Sequence, residues 1–387
     1  MKVTALAAHS SEAVRAALAA RGVSDAQAAL ASAGLETQLL LFDELADPER
    51  EALLRWSAHS GGDLLSGAGW ALLQGTTSRL AALARPERLT PELQPVALAV
   101  AHALAAHGAA RSWSIAGAEF ALERPVLLGV INATPDSFSD GGHFLAPDRA
   151  LARAERLRAD GSDLLDVGGE STRPGAEPVS AAVEIARVVP VIEALGRRGL
   201  GPISVDTRRS EVARAAIEAG AAVVNDVSGG RFDTSLLALV GQAGVGVILT
   251  HMRGTPETMD AQASYGAVAL EVAGELRETA ARAEGAGIAR RRIALDPGFG
   301  FAKVGAQNFR LLDELAAVAG LGYPVAVGPS RKRFLGHATG RPVEDRDRAT
   351  AVACALAWER GARIFRVHDV ALAREALAVA AATASPM

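Results

Sequence analysis

Cysteine is nearly absent from this chain of 387 residues. Cys354 stands alone, which excludes a disulfide framework and a cysteine metal cluster. It falls in an apolar helical run, residues 350–358, and reads as a small buried side chain. Lysine is almost as scarce: Lys2, Lys303 and Lys332 are the lysines among 40 cationic residues, and the rest are arginine. The two cations differ in shape and donor geometry, so a lysine inside a motif is more telling here than usual. Excess positive charge is missing as well. The net charge is −4 and no basic stripe appears, which argues against a nucleic-acid partner. No run of about 18 uncharged apolar residues marks a membrane span. The first residues lack a basic stretch followed by a long apolar core, so a cytoplasmic protein is expected.

What is present suits a large folded protein. Hydrophobic residues make up 49% and charged residues 22%, a globular composition. The length allows two or three domains, or one large barrel plus an extra unit. From residue 126 onward one pattern repeats: apolar run, polar tip, helix. Strands are expected at 126–131, 164–167, 203–205, 222–225, 245–250, 292–295, 325–327 and 364–367. Helix-period stretches fill the gaps, among them 148–159, 180–197, 209–219 and 267–286. Most end at glycine, as a helix C-terminus should. Short apolar runs alternating with helices indicate parallel strands buried on both faces. Eight repeats fit the closed (β/α)8 barrel better than an open sheet, and such a barrel carries its chemistry at the C-terminal strand ends.

Ahead of the barrel, residues 112–115 and 119–122 flank Gly117 and read as a hairpin able to close the barrel bottom. The expected domains are a small α/β unit at 1–110 and the barrel at 111–387. In the first, strands are read at 3–7, 37–42 and 70–74. Helices are read at 11–20, 48–60, 77–83 and 91–106. No convergent catalytic set appears there, and a structural or interaction role is the favoured reading.

The strand tips carry the chemistry. The first ends in Asn132, followed by Thr134, Asp136, Ser137, Phe138, Ser139 and Asp140. An amide oxygen near carboxylates suits a hard cation such as Mg2+; an Asx or Ser/Thr turn explains one or two of these residues but not the run. The second runs from Asp166 through Gly168 and Gly169 to Thr172, Arg173 and Pro174, where backbone can approach an anionic ligand and Arg173 can contact it. Asp206, Asn225 and Asp296 end the third, fourth and sixth strands. A lone Asp after a strand is more often a helix N-cap, but three such groups in register shift the balance toward a site. Buried carboxylates need donors, which a ligand rich in ring N–H and amine groups supplies. Met252 follows the fifth strand, as one apolar wall for a flat ring or as core filler. Ser330 and Lys332 follow the seventh. Arg366 and His368 alternate on the eighth, so both face inward; the guanidinium can stack on a planar ring or bind phosphate.

Together these motifs resemble the dihydropteroate synthase family. The resemblance spans 132–142, 166–175, 204–207, 225–229, 250–252, 296–301, 330–336 and 366–370, in the family's order. It implies a TIM barrel in which 6-hydroxymethyl-7,8-dihydropterin pyrophosphate and p-aminobenzoate give 7,8-dihydropteroate and pyrophosphate, by an SN1-like course. It assigns Asn132 to Mg2+, with Arg366 and His368 at the departing pyrophosphate. Asp206 and Asp296 are matched to stabilisation of a pterin cation. Asp166, Asn225, Lys332, Met252 and Arg366 are matched to the pterin pocket. Phe138, Asp140, Thr172, Arg173 and Pro174 match loops that close over p-aminobenzoate, Phe301 matches a ring contact, and Ser330 lies near the substrate carboxylate. No strong general base is needed, because the amine loses its proton after attack. The resemblance also implies a homodimer through C-terminal helices. Residues 1–110 lie outside the shared core. A pterin-dependent methyltransferase on the same barrel, and a pterin-binding barrel without turnover, are the competing readings. The methyltransferase would not need Mg2+ or the tips at 330–332 and 366–368, and the passive barrel predicts decay in the pyrophosphate set Asn132, Thr172, Arg173, Arg366 and His368, which is intact.

Overall fold

A computed structural model describes residues 37–60, 63–83, 85, 89–97, 100, 110–115, 117–133, 146–170 and 179–384. The chain divides into two compact units between His107 and Gly108. Among the described residues no helix is long and apolar enough to cross a membrane.

The first unit holds β1 (Thr37–Asp43), α1 (Asp47–Ser60), β2 (Asp63–Gly67), β3 (Trp70–Thr76) and α2 (Thr77–Leu83). β2 and β3 form a hairpin, with Gly69 at φ 75° in its turn. β1 pairs antiparallel on the other side of β3. Leu40, Leu53, Leu73, Leu80 and Leu83 make its core with Leu93, Val96 and Val100. β2 was not expected from the sequence: two leucines between Asp63 and Ser66 give too short a pattern to separate strand from turn. Of the helix expected at 91–106, residues 91–93 form a 3-10 turn and 94–97 are helical. The expected strand 3–7 and helix 11–20 lie outside the described residues.

The second unit opens with a hairpin, β4 (Ser112–Ile115) and β5 (Ala118–Ala121), turning at Gly117 with φ 83°. Eight parallel strands follow: β6 (Val126–Asn132), β7 (Leu164–Gly168), β8 (Ile203–Asp206), β9 (Val223–Asp226), β10 (Gly246–Thr250), β11 (Ile293–Asp296), β12 (Ala326–Val327) and β13 (Ile364–Val367). Each strand through β11 pairs with the next, and β13 sits between β6 and β12. A parallel bridge between Leu295 and Val325 joins β11 to the start of β12 and closes the ring. Every expected barrel strand is present, within one or two residues at its ends. The helices include α3 (Ala146–Ala159), α4 (Ala181–Arg197), α5 (Ser210–Glu218), α6 (Leu236–Ala243), α7 (Val268–Gly285), α8 (Ala306–Asp313), α9 (Ala316–Ala319), α10 (Arg333–Thr339), α11 (Asp347–Glu359) and α12 (Val370–Ala384).

Alternation along the strands builds two cores. Outward residues such as Leu127, Leu165, Val205, Val224, Leu249 and Val367 pack under the helices. Inward residues Val126, Leu128, Leu164, Val223, Ile248, Ala294, Ala326 and Ile364 fill the lower barrel, and Trp113, Ile115 and Leu122 of the hairpin pack into them from below. Trp113 is fully buried and its indole N–H donates to the Arg292 carbonyl at 3.2 Å. Replacing such a buried tryptophan by alanine costs about 3–5 kcal/mol. The hairpin is therefore a floor. The inward positions above the floor turn polar, and the site lies there.

Candidate active site

Strand register sets the upper layer. Asn132 pairs with Gly168, Gly168 with Asp206, and Asp206 with Asn225. Thr250 of β10 pairs with Asp296 of β11. One row thus carries an amide, a bare backbone, a carboxylate and a second amide. Asp206, Asn225, Asp296, Lys332 and Arg366 all line one cleft, with Phe299, Phe301, Gly298 and Gly328 among the other walls.

Arg366 organises the floor of this cleft. Its Nε donates to Asp166 Oδ2 at 2.5 Å and its terminal Nη2 to Asp206 Oδ2 at 2.7 Å. Asp166 Oδ2 also accepts from the Asn225 amide at 3.3 Å. Asp166 is completely buried and does not line the cleft; it orients two residues that do. Removing a partner from a buried charged set is costly, because the remaining charge is left unpaired. Burial is also the main influence on the two lining carboxylates. It pushes Asp206 up to about 7, opposed by Arg366 and aided by the negative charge of Asp166. It pushes Asp296 up to about 6, opposed by the Gly298 N–H, Lys332, Lys303 and Arg366. Both carboxylates hold their negative charge at a cost that a cationic or N–H-rich ligand relieves.

Asp296 is aimed by its own turn. Its Oδ1 accepts from the Gly298 N–H at 2.7 Å. Gly298 has φ 71°, and a Cβ there would lie 2.1 Å from the His251 carbonyl oxygen, so only glycine fits. Asp226, beside Asn225, faces the other way and caps its loop by accepting from the Ser228 and Gly230 N–H groups.

The tips of β12 and β13 meet. The Lys332 ammonium lies 3.9 Å from the centre of the Phe301 ring, a cation–π contact. Ser330 Oγ accepts from the His368 backbone N–H at 3.1 Å and lies 2.9 Å from His368 Nδ1. The hydroxyl proton is then free to go to Nδ1, which leaves the ring proton on Nε2. Burial and the nearby Arg366 and Arg331 push His368 down to about 3, so the ring is a neutral donor at ordinary pH. Arg153 on α3 donates to the His368 carbonyl.

Between Ser330 and Lys332, Arg331 has φ 56°, a left-handed backbone that is costly for arginine. Its guanidinium grips Asp347 of α11 through two hydrogen bonds, and its own N–H donates to Thr350. Arg333, just after, pairs with the exposed Asp260 at 2.9 Å.

The structure therefore brings Asp206, Asn225, Asp296, Phe301, Lys332 and Arg366 to one cleft, with Asp166 beneath and Ser330 and His368 at neighbouring tips. Met252 is buried against Val227, Met259, Phe301 and Ala302. It backs two wall residues and does not line the cleft. Phe138, Asp140, Thr172, Arg173 and Pro174 lie outside the described residues. Asn132 sits half-buried at the end of β6. Its amide oxygen is a hard ligand atom on the row that also carries Asp206, which fits Mg2+ holding few protein ligands and several waters. Among the described residues no group of three or more His, Cys, Asp or Glu forms a metal cage. Sequence reasoning did not assign roles to Arg331, Asp347, His251 and Lys303. The scarcity of lysine was the one signal pointing at Lys303.

The profile of the pterin binding enzyme family matches residues 128–368. A dihydropteroate synthase of Synechocystis sp. is 44% identical over 253 residues, covering 64% of this chain and 86% of that protein. The structure of Xanthomonas albilineans dihydropteroate synthase with 4-aminobenzoic acid is 44% identical. It covers 72% of this chain and all of that one, with a TM-score of 0.67. The same bacterium's enzyme in complex with 7,8-dihydropteroate is 42% identical with a TM-score of 0.65, over 71% of this chain and all of that one.

Proposed function

The chain belongs to the pterin binding enzyme family, and we infer from this that it is a dihydropteroate synthase. The reaction joins 6-hydroxymethyl-7,8-dihydropterin pyrophosphate to p-aminobenzoate and releases pyrophosphate. The observation that carries this reading is the pairing of two desolvated carboxylates, Asp206 and Asp296, with Lys332 and Arg366 around one cleft.

The residues divide the work by their chemistry. Asp206, Asp296 and Asn225 face the N–H and amine edge of the pterin, as acceptors and amide. Lys332 donates to its carbonyl or ring nitrogen. Arg366, braced by Asp166 and Asp206, covers one ring face. When the methylene C–O bond breaks, the electron pair leaves with pyrophosphate and positive charge develops on the pterin. Asp206 and Asp296 then gain a cation beside them, so they stabilise the transition state more than the ground state. His368 Nε2–H and Arg366 face the departing anion. The arylamine lone pair forms the new C–N bond, and the nitrogen loses its proton afterwards, so no strong base is required. Asn132 would hold Mg2+ through its amide oxygen, and the metal would supply charge neutralisation for the leaving group. Phe138, Asp140, Thr172, Arg173 and Pro174 are proposed to cover p-aminobenzoate.

A homodimer is part of this proposal. Val352 and Leu356 on α11 and Val379 on α12 are exposed, and these two helices pack together. Val379→Glu is expected to give a monomer by light scattering; an unchanged mass removes this face as the interface.

The decisive assay measures pyrophosphate release with each substrate alone and with both. Release that requires p-aminobenzoate supports the synthase. Methyl transfer in its place supports the methyltransferase, and binding without turnover supports a passive pterin barrel.

A further inference from the structure

Lys303 is almost completely buried, at 1% exposure, and it does not line the cleft. Its ammonium has three close acceptors: His251 Nδ1 at 2.8 Å, the Phe301 carbonyl at 2.8 Å and the Gly298 carbonyl at 3.2 Å. The far nitrogen of His251 lies 3.0 Å from Glu275. Glu275 is held well down, to about 2, mainly by His251 and also by Arg253, so it is a carboxylate and needs a donor. His251 Nε2 must supply that proton. Burial pushes His251 down to about 4, so the ring is neutral and Nδ1 is a bare acceptor. Lys303 therefore donates to all three partners. A neutral amine has two N–H groups and an ammonium has three. Burial pulls the Lys303 pKa well down, but three acceptors with no donor among them match the charged form.

The carbonyls it gathers belong to the loop that shapes the cleft. Gly298 fixes the Asp296 carboxylate through its N–H, and Phe301 carries the ring under Lys332. Asn308 ties the same loop from the other side, donating to the Lys303 carbonyl and accepting from the Gly300 N–H. We propose that Lys303 is a positioning residue for the pterin site: it knots His251 to the 298–301 loop and places a buried positive charge behind Asp296. The proposal rests on the pterin reading of the cleft.

Asp296 is faced by Lys303 from its own loop, Lys332 from the loop after β12, Arg366 from β13, Asp206 across the cleft and neutral His251 from β10. Removing the Lys303 charge therefore leaves Asp296 harder to ionise. In Lys303→Met, the part of the acid limb of kcat/KM that Asp296 contributes, below the step of Asp206, is expected to move to higher pH, with KM for the pterin substrate rising about tenfold. Lys303→Arg keeps the charge and should leave the limb where it is, while KM still rises because the fork cannot reproduce a tetrahedral donor. Histidine-selective 15N NMR of the full, ligand-free chain reads the knot directly. His251 should show one protonated and one bare nitrogen from pH 5 to 8, near neutral pH in wild type, and begin to titrate in Lys303→Met. If Lys303→Met does not fold, His251→Phe carries the test, since loss of one acceptor should neutralise Lys303 and move the limb the same way. Native KM and an unmoved limb in either folded variant overturn the proposal. Failure of the pterin reading shows itself separately, as wild-type protein that does not turn over while the His251 signals remain as described.

Discussion

Arg331 holds Asp347 in a two-pronged contact, 2.8 and 2.7 Å, across the gap between the β12 tip and α11. The backbone of Arg331 is left-handed, a conformation costing about 1–2 kcal/mol for a residue with a Cβ. The contact offsets that cost and sets the directions of Ser330 and Lys332 on either side. Asp347→Ala should therefore loosen the tip without touching the cleft. The pair is partly exposed, so the expected loss is about 1–2 kcal/mol in kcat/KM, roughly 5- to 30-fold. Steady-state kinetics on a variant with native circular dichroism checks it. Unchanged kinetics would mean the tip holds its shape without Asp347.

Lys332 is the cation at the centre of that tip. Lys332→Ala is expected to remove about 2–4 kcal/mol of transition-state stabilisation, if the ammonium is a desolvated donor to the pterin. The measurement is kcat/KM for the pterin pyrophosphate. An unchanged value places Lys332 outside the chemistry.

Asp296 links stability to pH in the reverse of the common carboxylate direction. Its folded-state pKa of about 6 lies above the ordinary 3.8. Its favourable contribution is therefore complete below about 3.8 and is lost as pH rises through about 6. Asp296→Asn keeps an acceptor for the Gly298 N–H and never ionises. It should be more stable than wild type at pH 8 by on the order of 1–3 kcal/mol, the gap closing toward pH 4. Turnover should be nearly abolished. Urea denaturation at pH 8, 6 and 4.5 follows the gap, and a variant less stable at pH 8 than at pH 4.5, relative to wild type, contradicts the assignment.

Metal dependence tests Asn132. Chelator is expected to abolish turnover, and Asn132→Ala to raise the Mg2+ concentration needed for half-maximal rate about tenfold or more. Full turnover in chelator sinks the metal assignment. An unaltered Mg2+ requirement in the variant moves the metal elsewhere.

The barrel was legible because each strand is a short apolar run ending in a polar residue, and because period-2 alternation decides which polar residue faces inward. Asp206, Asn225, Asp296 and Arg366 follow from that rule alone. Gly117 gave the hairpin in the same way, by marking a turn between two alternating runs. Lys303 was not legible: its partner His251 is 52 positions away, and only the parallel pairing of β10 with β11 brings the two strand tips side by side. Arg331 was hidden for a related reason. Its charge reads as surface, and the strained backbone that gives it a task is invisible in a one-letter code. Met252 stands between these cases. Its position after a strand suggested a wall, but its side chain packs behind the wall, against Val227, Met259, Phe301 and Ala302.

The Trp113 hairpin has a kinetic consequence. With one end sealed by packed side chains, every molecule that enters the barrel has to leave through the same mouth. The pterin occupies the inner berth in the proposed arrangement, and the aromatic amine lies outside it. The inner guest must then board first, and the finished product blocks the doorway until it has gone. Product inhibition patterns should follow that queue, with dihydropteroate competitive against the pterin substrate and mixed against p-aminobenzoate.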